Sequence, residues 1–148
     1  MAKNEPTINK VFVNERLILI ASFLNELRQL AAIKKQDFVS VKVNSAAAES
    51  FLRRTLEAVF DIGRHILAKS GKIELAAEYK SIARGLTDLG IVDKQLGQKL
   101  TQMAGYRNRL VHMYNLISDE ELYEIINSDL KDVEAFVSAI KKYLGTLP

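Results

Sequence analysis

INKVFVNERLILIASFLNELRQLAAIKK, Ile8 to Lys35, decides the fold. Val13, Leu17, Ile20, Leu24, Leu27 and Ala31 recur at alternating steps of four and three. That spacing lays one apolar face along a long helix. Prolines stand only at positions 6 and 148, so nothing between them bars a helix. No stretch alternates apolar and polar residues as a half-buried strand would.

Working outward, residues 36–44 (QDFVSVKVN) break the pattern and read as a connector that points Phe38 inward. A second long helix is expected from Asn44 or Ser45, either of which can cap it. Leu52, Leu56, Val59, Gly63 and Ile66 form its stripe, with Phe60, Ile62 and Leu67 widening it, and Gly71 ends it. A shorter helix follows near Leu75 to Leu89, closed by Gly90. Asp93 is placed to cap the next, which carries Leu96, Leu100 and Met103. Ser118 and Glu121 have the spacing of a capping box and start a short helix that ends near Asn127. The last helix spans about Asp129 to Leu144, with Leu130, Val133, Val137, Ile140 and Leu144 inward. Lys141 and Lys142 in its final turn suit the helix dipole. The expectation is an all-α, antiparallel up-and-down bundle of four long helices plus one or two short helices, in which residues 1–148 form a single domain.

Composition narrows the chemistry. The chain has 148 residues, 48% hydrophobic and 26% charged, with a formal net charge of +3. This mild excess permits nucleic-acid binding without requiring it. There is no cysteine, which removes disulfides, thiolate nucleophiles and cysteine-based zinc sites. Two distant histidines and no paired carboxylates at ligand spacing give no metal site, so no metal and no cofactor are expected. The start, MAKNEPTINK, lacks the apolar core of a signal peptide. The longest purely apolar run, Leu17 to Ala21, is too short to span a membrane. A cytoplasmic protein with no membrane partner is the expectation.

One stretch departs from bundle logic. Extending the stripe of the Asp93 helix leads to Arg107, Leu110 and Tyr114, where apolar residues belong. An arginine on a core stripe is costly unless it is paired or set in a wet cleft. The segment GYRNRLVHMYN, Gly105 to Asn115, also holds Asn108 and His112, four apart on one helix face. A fixed cation and a histidine are the parts needed to cut RNA through attack by the 2′-hydroxyl: one for phosphate charge, one to move protons near neutral pH. Spacing alone leaves two readings open, a catalytic site and a polar helix end bonded to a neighbour. Elsewhere Asp61 is placed to pair with His65 on its own helix or with Arg107 across helices. Arg53 and Arg54 are equally compatible with RNA backbone contacts and with solvation.

GYRNRLVHMY resembles the signature of the HEPN superfamily, and its Arg-x4-His-x-Tyr form is similar to that of HepT-like toxins encoded beside minimal nucleotidyltransferases. RRTLEAVFDIGRHILAKSG, YKSIARGLTDLGIVDKQLGQKLTQMAG, EELYEII and the final helix carry the resemblance over nearly the whole chain. It implies a helical homodimer, a metal-independent endoribonuclease with RNA as substrate, and a nucleotidyltransferase antitoxin as partner. It further implies that Arg107 stabilises the scissile phosphate, that His112 is the general acid or base, and that Asn108 orients His112 or the substrate. Tyr114 matches the tyrosine adenylylated by the antitoxin. Asp61 is a candidate to support the site by pairing with Arg107 across helices, and Arg109 reads as a solvated basic side chain. The alternative is a HEPN subunit that binds nucleotide or a nucleotidyltransferase without cutting.

Overall fold

A computed structural model describes residues 7–112 and 117–148, and all regular structure among them is helical. Seven α-helices follow one another: α1 (Lys10–Ala31), α2 (Lys35–Ser40), α3 (Lys42–Lys69), α4 (Tyr79–Asp88), α5 (Lys94–Val111), α6 (Asp119–Ser128) and α7 (Leu130–Gly145). A 3-10 turn, Ile73–Leu75, precedes α4. The all-α class stands, with three short helices where one or two were expected.

The periodic stripe of α1 is its buried face: Val13, Leu17, Ile20, Leu24 and Leu27 are all inside. This face packs mainly on α3. Phe12 meets His65, Arg16 meets Asp61, and Phe23 meets Phe51. The partners run in opposite order, so the two helices are antiparallel. Contacts of α1 with α7 also run in opposite order, from Arg28 with Glu134 to Lys10 with the carbonyl of Pro148. At the junction of α1 and α3, the Asn9 amide donates to His65 Nε2 at 3.0 Å. This bond needs an unprotonated ring nitrogen, and burial, with Lys69 nearby, holds the imidazole below its ordinary pKa.

Residues 36–44 are not a simple connector. Most of them belong to α2 and to the first turn of α3, and Phe38 is fully buried. Asn44 and Ser45 do not cap α3, which begins earlier, after Val41. Their side chains donate instead to the carbonyls of Asp37 and Lys42. The glycine stops behave as read: Gly71 and Gly90 take φ of 76° and 74°, the left-handed backbone that ends a helix. Asp93 caps α5 by accepting from the Leu96 amide at 2.7 Å. Ser118 caps α6 by accepting from the Glu121 amide at 3.1 Å.

Close packing at glycines sets the position of α4. A Cβ at Gly63 would lie 2.5 Å from Ile82 Cγ2, and one at Gly85 would lie 2.7 Å from Leu67 Cδ2. α4 therefore sits tight against α3 and runs along it in the same order, Tyr79 beside Phe60 and Gly85 beside Leu67. On its other side, Thr87 lies where a Cβ on Gly97 would be, 2.2 Å away. α4 and α5 thus form an antiparallel pair that carries Tyr79 up to Arg107. Buried residues from all seven helices and the α4–α5 connection join in one hydrophobic cluster, with Phe38, Phe60 and Phe136 as its largest side chains. Among the described residues no helix is long and apolar enough to cross a membrane.

Candidate active site

α5 buries Gly97, Leu100, Met103 and Ala104. Beyond them the helix emerges: Gly105 to Leu110 are only part-buried, and Val111 and His112 are exposed. Arg107 lies on this emerging segment. Its guanidinium carbon sits 4.4 Å from the centre of the Tyr79 ring, a cation–π geometry. Its Nε is buried and has no hydrogen-bond partner among the described residues. A buried N–H left unbonded costs about 1–3 kcal/mol, and such exceptions call for an explanation.

Asn108 opens onto a cavity of about 380 Å³ that it lines with Ala77, Glu78, Tyr79 and Lys80. The N-terminus of α4 thus forms the wall opposite Asn108, beside the Arg107 guanidinium. His112 is the residue that caps α5. Its amide still donates to the Asn108 carbonyl at 3.1 Å, and its own backbone is already extended. Asn108 and His112 are therefore adjacent turns of one helix end. Tyr114 lies outside the described residues. Among those described, no group of three or more His, Cys, Asp or Glu side chains is arranged to hold a metal ion.

Two expectations change. Asp61 does not reach Arg107. Its carboxylate faces α1, 3.2 Å from Arg16 Nε, and lies 3.8 Å from Arg64 NH1 one turn along α3. The Arg107 guanidinium lies on the Tyr79 ring instead, and no ion pair joins it to Asp61 among the described residues. No pairing of Asp61 with His65 occurs among the described residues. Arg109 is not simply solvated. It makes a bidentate pair with Glu121 at 2.6 and 2.8 Å, joining the end of α5 to the first turn of α6. That pair holds the Glu121 carboxyl below, and the Arg109 guanidinium above, their ordinary pKa values. Glu121 uses its carboxylate here rather than closing the capping box back to Ser118.

Beside the pair, Tyr106 accepts from Gln102 Nε2 at 2.9 Å. Burial first, then the charge of Asp129, pushes its phenol up to about 12. Arg53 pairs with Glu57 one turn on at 3.5 Å. Arg54 lines a separate groove with Leu19, Phe23 and Asp61. Neither adjoins Arg107. The residue that sequence reasoning missed is Tyr79. An aromatic at a helix start reads as core, and only the demand of Arg107 for a partner surface pointed to it.

Known proteins resemble this chain over most of its length. Residues 20–140 match the family described as Ribonuclease HepT-like. A tRNA nuclease HepT of Aphanizomenon flos-aquae is 29% identical over 140 residues, covering 95% of each chain. An mRNA nuclease HepT of Shewanella oneidensis is 26% identical over 141 residues, covering 93% of this chain and 98% of that one. Among solved structures, a tri-AMPylated HEPN toxin of Shewanella oneidensis in complex with an MNT antitoxin shares the fold. Its TM-score is 0.78 at 21% identity, covering 88% of this chain and 97% of that one.

Proposed function

Since the chain belongs to the HepT-like ribonuclease family, we propose that it is a metal-independent endoribonuclease toxin in which Arg107 and His112 act on one phosphodiester. The observation that carries this reading is the Arg107 guanidinium, fixed on Tyr79 with a buried Nε that no described residue satisfies. A guanidinium held in this way suits a phosphate oxygen, which its fork can bind through two N–H groups.

The chemistry needs no further group. The RNA 2′-hydroxyl gives up its proton and attacks the adjacent phosphorus. The bond from phosphorus to the 5′-oxygen breaks, and that oxygen takes a proton. The products are a 2′,3′-cyclic phosphate and a 5′-hydroxyl. Arg107 offsets the negative charge that builds on the phosphorane oxygens. His112, exposed at the end of α5, moves a proton at one of the two oxygens. Asn108, whose carbonyl holds the His112 amide, positions the imidazole or the strand. Two copies of the chain would pair as a homodimer. The partner that silences the toxin would be a nucleotidyltransferase. It would join the Tyr114 phenol oxygen to the α-phosphorus of ATP and release pyrophosphate. The bulk and negative charge of AMP would then occupy the site and neutralise Arg107. The relatives named as tRNA and mRNA nucleases support the substrate class, and the tri-AMPylated toxin supports the mode of silencing.

The test is cleavage of RNA by purified protein in excess EDTA, with the ends analysed for cyclic phosphate. His112→Ala should abolish cutting and leave the helical circular dichroism intact. Cutting that survives this substitution sinks the assignment, and a wild type that binds RNA without cutting it favours a binding subunit. Adenylylation by the partner should be lost in Tyr114→Phe.

A further inference from the structure

Arg64 of α3 shares the Tyr79 ring with Arg107. Its guanidinium carbon lies 5.4 Å from the ring centre, against 4.4 Å for Arg107. The ring is itself fixed from below by Phe60, 4.9 Å away and tilted by 56°. Arg64 is also anchored at its base: Nε donates to the Ala76 carbonyl at 3.1 Å. Among the described residues its terminal nitrogens make no hydrogen bond, and NH1 lies toward Asp61. Asp61 Oδ1 is 3.8 Å from NH1, an ion pair too long to be a hydrogen bond, and the other oxygen of that carboxylate lies closer to Arg16 Nε, at 3.2 Å. The Arg64 side chain keeps 42% of its exposure. Two cations therefore share one aromatic ring, one with a buried N–H unsatisfied among the described residues and the other half open to water. Lys80 lies across the adjoining cavity.

A lone arginine on an aromatic ring is ordinary packing. Two on one ring repel each other, Asp61 offsets part of that cost at Arg64, and an anion lying between or along them would offset the rest. Both guanidinium carbons lie within 5.4 Å of one ring centre, so a single-stranded phosphate backbone, whose charges come one nucleotide apart, could meet both. The Tyr79 ring is already covered by three groups, so it serves as a platform for cations and not as a surface on which bases stack.

We propose that Arg64 binds the RNA phosphate next to the scissile one, making Arg64, Tyr79 and Arg107 a two-phosphate track. This rests on the ribonuclease reading for its substrate and adds a subsite on α3, outside the Arg-x4-His segment. Arg64 is here a binding residue, whose effect depends on the length of the strand.

The test separates the two ideas. Binding of an oligonucleotide made of 2′-O-methyl ribose, which cannot be cut by 2′-hydroxyl attack, is measured across salt concentrations. Arg64→Gln should lower the slope of log K against log salt by about 0.7, the share of one single-strand phosphate contact. Arg64→Lys should keep the slope, since it keeps the charge. Arg84→Gln, on the far side of α4 beside Ser81, should leave the slope unchanged and so controls for general loss of charge. In parallel, a ribodinucleoside monophosphate has one phosphate and cannot fill both places. Its cleavage should be equal in wild type and Arg64→Gln, whereas cleavage of a longer RNA should show a raised KM in the variant. An unchanged salt slope in Arg64→Gln, or equal losses on the dinucleotide and the longer RNA, overturns the track while the ribonuclease reading stands. A wild type that binds with the expected slope but cuts no RNA overturns the ribonuclease reading and supports the track.

Discussion

Along α5, Gly97, Leu100, Met103 and Ala104 are buried, whereas none of the residues from Gly105 to Leu110 is, and Val111 and His112 are exposed. The first half meets α4 so closely that Thr87 fills the space a side chain at Gly97 would need. The second half replaces the next apolar stripe residue with Arg107 and leaves its Nε unsatisfied among the described residues. One helix thus carries a segment chosen for packing and a segment whose local choices oppose packing. Such conflict inside an otherwise consistent fold is expected where function has been placed.

The contrast is broken most forcefully at Leu100. This side chain is fully buried, and Leu100→Ala should cost about 2–5 kcal/mol of stability through lost transfer and a residual cavity. Denaturant titration would measure it. Cleavage per folded molecule, assayed well below the melting point, should stay near wild type. A large drop in that specific activity would mean that the two halves are not separate in function.

Arg107→Leu probes the other half with the opposite signature. It restores the apolar stripe and removes the orphan N–H, at the loss of a cation–π contact worth about 0.5–1 kcal/mol. Tm should hold or rise. Cleavage should fall by about 10²–10³-fold, the scale seen when one preorganised donor to a developing oxyanion is removed. A clear fall in Tm would show that Arg107 is there for packing, and retained cleavage would remove it from the site.

The same division governs what the sequence discloses. The stripes of α1, α3 and α7 and the stops at Gly71 and Gly90 follow from periodicity and backbone sterics, which are local. So did the anomaly at Arg107, because a charge stands out on an apolar repeat. What periodicity does not carry is which neighbour meets which face. Asp61 and Arg107 were compatible by charge, yet α3 turns Asp61 toward Arg16 while α4 supplies Tyr79 to Arg107. Asn44 and Ser45 looked like caps, but Phe38 is drawn into the core and brings a helical turn with it. α3 therefore begins at Lys42, ahead of both.

Arg109 and Glu121 give the smallest effect and the finest distinction, because they brace the emerging half of α5 and have no part in the proposed reaction. The pair is bidentate but more than one-third exposed on both sides, so Arg109→Gln should cost less than about 1 kcal/mol. Its pH dependence has a definite sign. The folded state holds the Glu121 carboxyl below its ordinary value because Arg109 bonds the charged form. The unfolded chain therefore takes up this proton first as pH falls. The pair's contribution is complete above the ordinary glutamate range and is lost as pH drops through that range toward the lowered folded value. Wild type and Arg109→Gln should thus differ in stability at neutral pH and converge in acid, which thermal melts across pH would record. A gap that persists in acid would assign the role of Arg109 to packing of its side chain, and the joint between α5 and α6 would then not depend on charge.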